Sequence, residues 1–311
     1  MTTLLVGRGL LGRAVLADLR RRGEDVHTVD VPWGEGSSAS LDALLLASER
    51  AAAADRAWRL VWTAGSGVIA TSAEDLRAEV ATFEAYVGNL ATRPSAMFLA
   101  SSAGGVYAGS SDPTPFTEES AVGAASPYGH AKLAMEATAT DLAGRGTRVV
   151  IGRLANVYGP GQDLTKPQGL VSQLCLSHLT RQPLMIYASM DSLRDYVFSQ
   201  DAAWMAATAL DRIASAEPGT VLVKILGSGV SRSVGSVIGE STRAFRRRPH
   251  LVIRRAPQQV MDLRLRSTTW ADLDARVNHV PFGAGLHLTS QDISRQLRAG
   301  ALVPRHARRG S

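Results

Sequence analysis

The sequence predicts an α/β fold: a doubly wound parallel sheet with a smaller C-terminal portion. Three observations carry that expectation. Short apolar runs alternate with helical patterns over the first two-thirds of the chain. The first strand-to-helix junction holds three glycines, Gly7, Gly9 and Gly12. After Pro160 the alternation loosens, and Pro167, Pro183, Pro218, Pro249 and Pro257 punctuate the rest of the chain. Strand–helix alternation with short links calls for a parallel sheet with helices on both faces.

The elements run in order along the chain. "TLLVG" (3–7) reads as a strand and "LLGRAVLADLRRRG" (10–23) as an amphipathic helix closed by Gly23. "DVHTVDV" is a strand, "SASLDALLLASERAAAADRA" a helix and "WRLVWTAG" a strand. "AEDLRAEVATFEAYVGNLA" is a helix, "SAMFLASS" a strand and "SPYGHAKLAMEATATDLAGRG" a helix. "TRVVIGRLANVYGP" reads as one further strand. No repeat is present at solenoid periods.

Bulk properties set limits. The chain has 311 residues, 45% hydrophobic and 20% charged, enough for a sizeable core in one large domain or two modest ones. No apolar run is long enough to span a membrane, and the N-terminus lacks a basic, cleavable leader, so a cytoplasmic protein without a membrane partner is expected. A single cysteine, Cys175, excludes an internal disulfide framework and a cysteine-cluster metal site; a small core residue is expected there. The seven histidines are scattered and no metal is expected. From Asp201 onward 17 Lys and Arg face 8 Asp and Glu, densest in "RAFRRRPHLVIRR" (243–255). A basic end suits anions. No aromatic interleaving or finger spacing supports nucleic acid, so a solvated Arg-rich surface is the reading kept.

The glycine loop is the first motif with chemistry. In Gly7-x-Gly9-x-x-Gly12, Gly7 permits a tight turn, Gly9 lets backbone approach a pyrophosphate, and Gly12 lets the helix pack on the sheet. The diphosphate would then meet the N–H groups and dipole of the helix N-terminus. Asp30 ends the next strand, 18 residues after Gly12. This context predicts a dinucleotide-binding domain of Rossmann type. Asp30 favours NAD, because a carboxylate accepts both ribose hydroxyls and repels a 2′-phosphate. Arg8 argues for NADP, because guanidinium binds phosphate, unless it simply pairs with Asp30. The choice between NAD and NADP stays open.

"SPYGHAKLAME" is the second motif. Tyr128 and Lys132 stand at i, i+4 and share a helix face. An ammonium beside a phenol favours phenolate, and such a tyrosine exchanges a proton with an alcohol while hydride moves to or from nicotinamide.

With these residues in view, most of the chain resembles the extended short-chain dehydrogenase/reductases, particularly nucleotide-sugar epimerases and dehydratases. The resemblance rests on the opening loop, "SSAGGVY", "SPYGHAKL" and "RLANVYGPGQD". It continues in "QGLVSQLCLSHLTRQPLMIY", "LRDYVFSQDAA" and "ILGSGVSRSV". It implies a dinucleotide-binding domain over 1–161, to which the chain returns at about 194–227. A substrate-binding portion over 162–193 and 228–311 would close over a small molecule, and a homodimer is possible. Expected cofactor contacts are Gly7, Arg8, Gly9, Leu10, Leu11, Gly12, Asp30, Ala64, Gly65 and Lys132. Expected substrate contacts are Ser66, Ala103, Gly104, Asn156 and Arg194. The alternative for Asn156 is a turn, and for Arg194 an ion pair with Asp195 or Asp201.

The departures from that pattern are specific. Val6 stands where the family's GxxGxxG begins, and one strand–helix step is missing between Asp30 and "WTAG". Glu79 lies near the place of the family's asparagine, and "ASMDS" (188–192) replaces its GDG. Ala103 takes the place of its catalytic Ser or Thr. Alternate strand residues face opposite ways, so Ser102 points away unless the strand has ended, while Ser101 faces correctly but ~7 Å back. Tyr128, Lys132 and Ser102 remain the catalytic candidates. The first expectation is an NAD(P)H-dependent ketoreductase acting on a ketone such as an antibiotic-type natural-product intermediate. The alternatives are a nucleotide-sugar 4-epimerase with bound NAD and a non-catalytic NAD(P)-binding sensor.

Overall fold

The computed structural model describes residues 1–33, 37–65, 71–164, 169–254, 260, 262–275 and 280–300. The first half alternates as expected. Strand β1 (Thr2–Val6) leads into helix α1 (Leu10–Arg21), then β2 (Asp25–Val29), α2 (Ser37–Ala54), β3 (Arg59–Trp62) and α3 (Ala73–Gly88). Next come β4 (Ala96–Ser102), a short α4 (Ala103–Tyr107), α5 (Pro127–Ala143), β5 (Arg148–Leu154) and β6 (Asn156–Tyr158). The remainder contains α6 (Leu170–Thr180), β7 (Leu184–Ile186), β8 (Leu193–Phe198), α7 (Ser199–Ile213), β9 (Val221–Leu226), β10 (Ser231–Ser233) and α8 (Val234–Phe245). It closes with β11 (Leu251–Ile253), β12 (Asp262–Leu263), α9 (Ala271–Asp274) and α10 (Phe282–Arg298).

Local chemistry sets the helix ends. Ser72 caps α3 by accepting the Asp75 N–H, with Glu74 and Asp75 in the first turn against the helix dipole. Ser126 caps α5 by accepting the Gly129 N–H, and Pro127 occupies the first helical position. Arg20 and Arg21 lie in the last turn of α1, where cations suit the carbonyl end.

Six parallel strands form the main sheet in the order β2-β1-β3-β4-β5-β9. Leu44, Phe83, Tyr86 and Met135, from α2, α3 and α5, cover one face. Val15 and Leu19 of α1, with the alanine-rich α7, cover the other. The sheet is therefore doubly wound. Among the described residues no strand lies beyond β2, which agrees with the missing step after Asp30.

One strand reading needs correction. The run "TRVVIGRLANVYGP" is not one strand. It breaks at Ala155, after which β6 leaves the main sheet and pairs with β8. β8 also pairs with β10 and β12, so residues 193–198 belong to a small second sheet. "SAMFLASS" is a strand as expected and passes directly into a helix: Ser102 ends β4 and its Oγ caps α4 by accepting the Gly105 N–H at 3.1 Å. Cys175 is buried, as expected, and burial pushes its thiol up to about 12. Among the described residues no group of His, Cys, Asp or Glu is arranged to hold a metal, and no helix is long and apolar enough to cross a membrane.

Candidate functional site

The site gathers at the C-terminal edge of the main sheet. The glycine loop joins β1 to α1 there, and its geometry fits a dinucleotide. Gly7 has φ +95°, and a Cβ on it would lie 2.3 Å from Ala64 N. A Cβ on Gly12 would lie 1.9 Å from Gly7 O. Those two glycines close the loop on itself and against the end of β3. Gly9 differs: nothing lies within 4 Å of its would-be Cβ, and no side chain caps α1. The first N–H groups of α1 are left facing that opening, with Leu10 and Leu11 half-buried beside it. Gly9→Val is therefore expected to fold normally and to lose NAD(H) affinity on the order of 100-fold, about 2.7 kcal/mol. Fluorescence titration checks it, and an unchanged affinity would remove the diphosphate from this loop.

Arg8 and Asp30 form an exposed ion pair. Each thus masks the other from an adenosine ribose. Asp30→Ala is expected to shift the NADPH-to-NADH affinity ratio upward about fivefold, the ~1 kcal/mol scale of an exposed charge contact. A ratio unmoved in Asp30→Ala and in Arg8→Ala would locate the choice elsewhere.

Tyr128 sits at the start of α5, which approaches α4 closely. A Cβ on Gly129 would lie 2.3 Å from Gly105 O, so only glycine allows this packing. The Tyr128 ring and Ser102 both flank Gly105: its would-be Cβ lies 3.2 Å from Tyr128 Cε1 and 3.4 Å from Ser102 Cβ. Because β4 ends at Ser102, that hydroxyl stands on the tyrosine side after all. Ser101 does not face the site; its buried Oγ donates to Glu136 at 2.5 Å.

Lys132 is buried one turn further along α5, its Nζ 5.7 Å from the Tyr128 ring centroid and 3.7 Å from Glu79 Oε1. Ala64 is buried and Gly65 exposed at the end of β3, and the Gly65 backbone lies against Lys132.

The expected substrate contacts divide. Ala103 is fully buried, clustered with Val106, Phe116, Ile225, Leu263 and Leu265, so it offers no surface for a ligand. Gly104 is half-buried, with Leu263 Cδ1 3.9 Å from its would-be Cβ. Asn156 is exposed and its Nδ2 donates to the Asp195 carbonyl at 2.9 Å, tying β6 to β8. Arg194 donates to the carbonyls of Leu193 and Val260, each at 2.7 Å. Burial lowers its pKa, against the opposing pull of Tyr196 and Asp262. Asp195 instead accepts the Ser228 and Gly229 N–H groups. Ser66 lies outside the described residues.

Beneath the tyrosine is a buried pair that the sequence reading missed. Arg153 of β5 grips Glu136 of α5 through Nη2 at 2.7 Å and Nε at 3.1 Å. Arg153 also donates to Tyr107 Oη at 2.7 Å, and Tyr107 donates onward to Thr117 O. Burial opposes the Arg153 charge, and Glu136 and Tyr107 more than offset it, leaving its pKa raised. The available signal was a charge at position 153 inside the apolar run "VVIGRL", which requires a partner.

A family model for the NAD dependent epimerase/dehydratase family matches residues 4–223. The chain belongs to that family. A similar member, a probable dTDP-glucose 4,6-dehydratase of Sinorhizobium fredii, is 33% identical over 125 residues. That match covers 39% of this chain and 35% of the dehydratase, about a third of its length. Solved epimerase/dehydratase folds superpose over nearly the whole chain. MoeE5, in complex with UDP-glucose and NAD, aligns with a TM-score of 0.78 at 24% identity, covering 96% of this chain and 100% of MoeE5. The UDP-glucose 4-epimerase of Thermotoga maritima, with UDP-glucose, aligns with a TM-score of 0.81 at 21% identity, covering 96% and 100%. TunA, an NAD-dependent NDP-hexosamine 5,6-dehydratase of tunicamycin biosynthesis, aligns with a TM-score of 0.71 at 19% identity, covering 94% and 98%. Family membership thus extends to about position 223; beyond it, structural likeness supports the fold alone.

Proposed function

We propose that this member of the epimerase/dehydratase family is an NAD(P)H-dependent ketoreductase, interconverting a ketone and a secondary alcohol on a small molecule. The observation that carries this reading is Tyr128 and Lys132 on one face of α5, with Ser102 beside the tyrosine, at the sheet edge that holds the glycine loop. The loop residues Gly7 to Gly12 would hold the dinucleotide diphosphate, Asp30 or Arg8 the adenosine ribose, and Lys132 the nicotinamide ribose. When bound, the nicotinamide supplies or accepts the hydride. Tyr128 gives its proton to the carbonyl oxygen, or takes one from the alcohol in reverse. The Ser102 hydroxyl, bonded to the Gly105 N–H, retains its own hydrogen to donate to that oxygen.

Two features favour a ketone other than a nucleotide-linked sugar. The Arg194 guanidinium donates to main-chain carbonyls, whereas the family resemblance assigns it to the substrate. Leu263 Cδ1 lies 3.9 Å from the would-be Cβ of half-buried Gly104, an apolar neighbour that suits an aromatic or otherwise apolar substrate better than a hexose. A natural-product intermediate has that character, and TunA belongs to such a biosynthesis.

A nucleotide-sugar 4-epimerase with retained NAD is the second reading. The surviving "RLANVYGPGQ" and "RDYVF" motifs and the family match favour it. Cofactor stoichiometry decides between them. A reductase consumes one NAD(P)H per product, read as loss of nicotinamide absorbance. An epimerase converts a UDP-hexose with no net change. A protein that binds NAD(P)H and turns over neither an aryl ketone nor a UDP-hexose would refute both.

A further inference from the structure

The basic run "RAFRRRPHLVIRR" (243–255), which reads from sequence as a solvated surface, has no part in the dinucleotide site. It leaves helix α8 and enters strand β11. That strand pairs in parallel with β7, Leu251 against Leu184, and the Leu184 N–H donates to the His250 carbonyl at 2.8 Å. Residues 181–183, leaving α6, and 246–250, leaving α8, therefore enter the two-stranded sheet side by side. Arg181 and Arg246 end their helices in the left-handed region, at φ 60° and 52°. Glycine is the relaxed choice there, and both places hold arginine.

Between the two turns lies a cavity of about 50 Å³. Its walls include Ser177, His178, Arg181, Ser241, Arg247 and Arg248, and among the described residues no carboxylate. His178 stacks on Phe245 with ring centroids 4.3 Å apart, and burial together with the charge of Arg247 lowers its pKa. The Ser177 hydroxyl donates to the Gln182 carbonyl at 2.6 Å. Ser241 is only 2% exposed, and among the described residues its hydroxyl has no hydrogen-bond partner. Arginines elsewhere find carboxylates: Arg59 has Glu24, Arg153 has Glu136, Arg212 has Asp272 and Arg232 has Glu240. Among the described residues Arg181, Arg247 and Arg248 have none.

We infer that this cavity binds a phosphoryl group, either as inorganic phosphate or as a phosphomonoester. A guanidinium fork matches phosphate oxygens, three such side chains line one hollow, and a buried serine hydroxyl stands beside them. The two helix C-termini bring about half a negative charge each, which three guanidiniums outweigh. Size selects the ligand. A water needs about 10–15 Å³ of such space, so a phosphoryl group fits and a nucleobase does not. Nor is Phe245 open for base stacking, since His178 lies on its ring. The cavity shares no residue with the glycine loop, α4 or α5, which separates it from the dinucleotide site. A bound phosphate bridges the α6–β7 and α8–β11 turns and stabilises the folded chain.

Calorimetric titration of the full chain with inorganic phosphate and with glycerol phosphate, in chloride buffer at about 0.15 M ionic strength, tests this. Submillimolar binding of at least one probe is expected, with a matching rise in Tm, and the tighter probe names the source. Arg181→Gln and Arg247→Gln are each expected to weaken binding at least about tenfold, and Ser241→Ala about fivefold, the scales of a charged and a neutral hydrogen bond. Arg243→Gln removes a charge from the same run but not from the cavity wall, and Gly9→Val alters the glycine loop; both are expected to leave phosphate binding unchanged. Thermal melts check that every variant folds. No binding of either probe overturns the inference, as does a loss in Arg243→Gln as large as in Arg247→Gln, which means a diffuse basic surface. Binding abolished by Gly9→Val instead places the phosphate at the dinucleotide loop and overturns it too. Affinity for duplex DNA that falls steeply with salt, without binding of either probe, replaces the site with a nucleic-acid surface.

Discussion

Tyr128→Phe is expected to bind NAD(P)H with wild-type affinity and to lose between about 100-fold and 10,000-fold in kcat. Only one oxygen is removed. The ring still packs over Gly105, so the close contact between α4 and α5 that shapes the site is kept. What disappears is the group proposed to exchange a proton with the substrate oxygen, and general acid–base assistance has that magnitude. Single-turnover measurement of hydride transfer isolates the effect from product release. A Phe variant with a near-normal single-turnover rate would mean that the substrate or solvent supplies the proton, and that Lys132 serves only to hold ribose.

The second large effect concerns stability. Glu136→Gln is expected to destabilise the protein by about 3–5 kcal/mol, because it leaves the Arg153 charge buried without its partner. A fall in Tm on the order of 10 °C is expected for a chain of this size. The pair also supports Ser101 and Tyr107, so β4, α4, α5 and β5 loosen together. Glu136→Met combined with Arg153→Met removes both charges and is expected to recover most of the loss, since matched apolar groups replace a buried pair at little cost. Differential scanning calorimetry of the single and double variants reads the cycle. A Gln variant as stable as wild type would show that water reaches Arg153.

The main sheet was legible because its signals are local. Apolar runs such as "TLLVG" and "SAMFL", caps at Ser72 and Ser126, and the glycine loop each act within a few residues. The dyad was legible for the same reason, since i, i+4 on a helix is a local rule. What escaped the reading depends on distant partners. "AGGVY" holds two glycines and is a poor helix on propensity alone; it forms α4 because Ser102 caps it and Leu263 and Leu265 pack on it. The break at Ala155 falls before Asn156 with no glycine or proline to mark it, and the pairing of β6 with β8 reveals it. Arg194 carries its motif intact, yet the Val260 carbonyl that engages it lies in a stretch with no readable element. Glu79 stood out as a departure from the family pattern, but its aim at Lys132 required the packing of α3 on α5.

The burial of Ala103 bears on engineering. A serine reintroduced there would place its hydroxyl among Val106, Phe116, Ile225, Leu263 and Leu265, where an unmet hydroxyl costs about 1–3 kcal/mol. Substitution to serine at this position is thus not a neutral single step. Leu263 and Leu265 would have to recede or turn polar first, and either change by itself opens the cluster to water. The present packing works as an epistatic lock: the order of substitutions matters, and a hydroxyl is accommodated only after its surroundings have changed. Designers seeking sugar chemistry from this scaffold would do better to replace Leu263 and Leu265 before touching the start of α4.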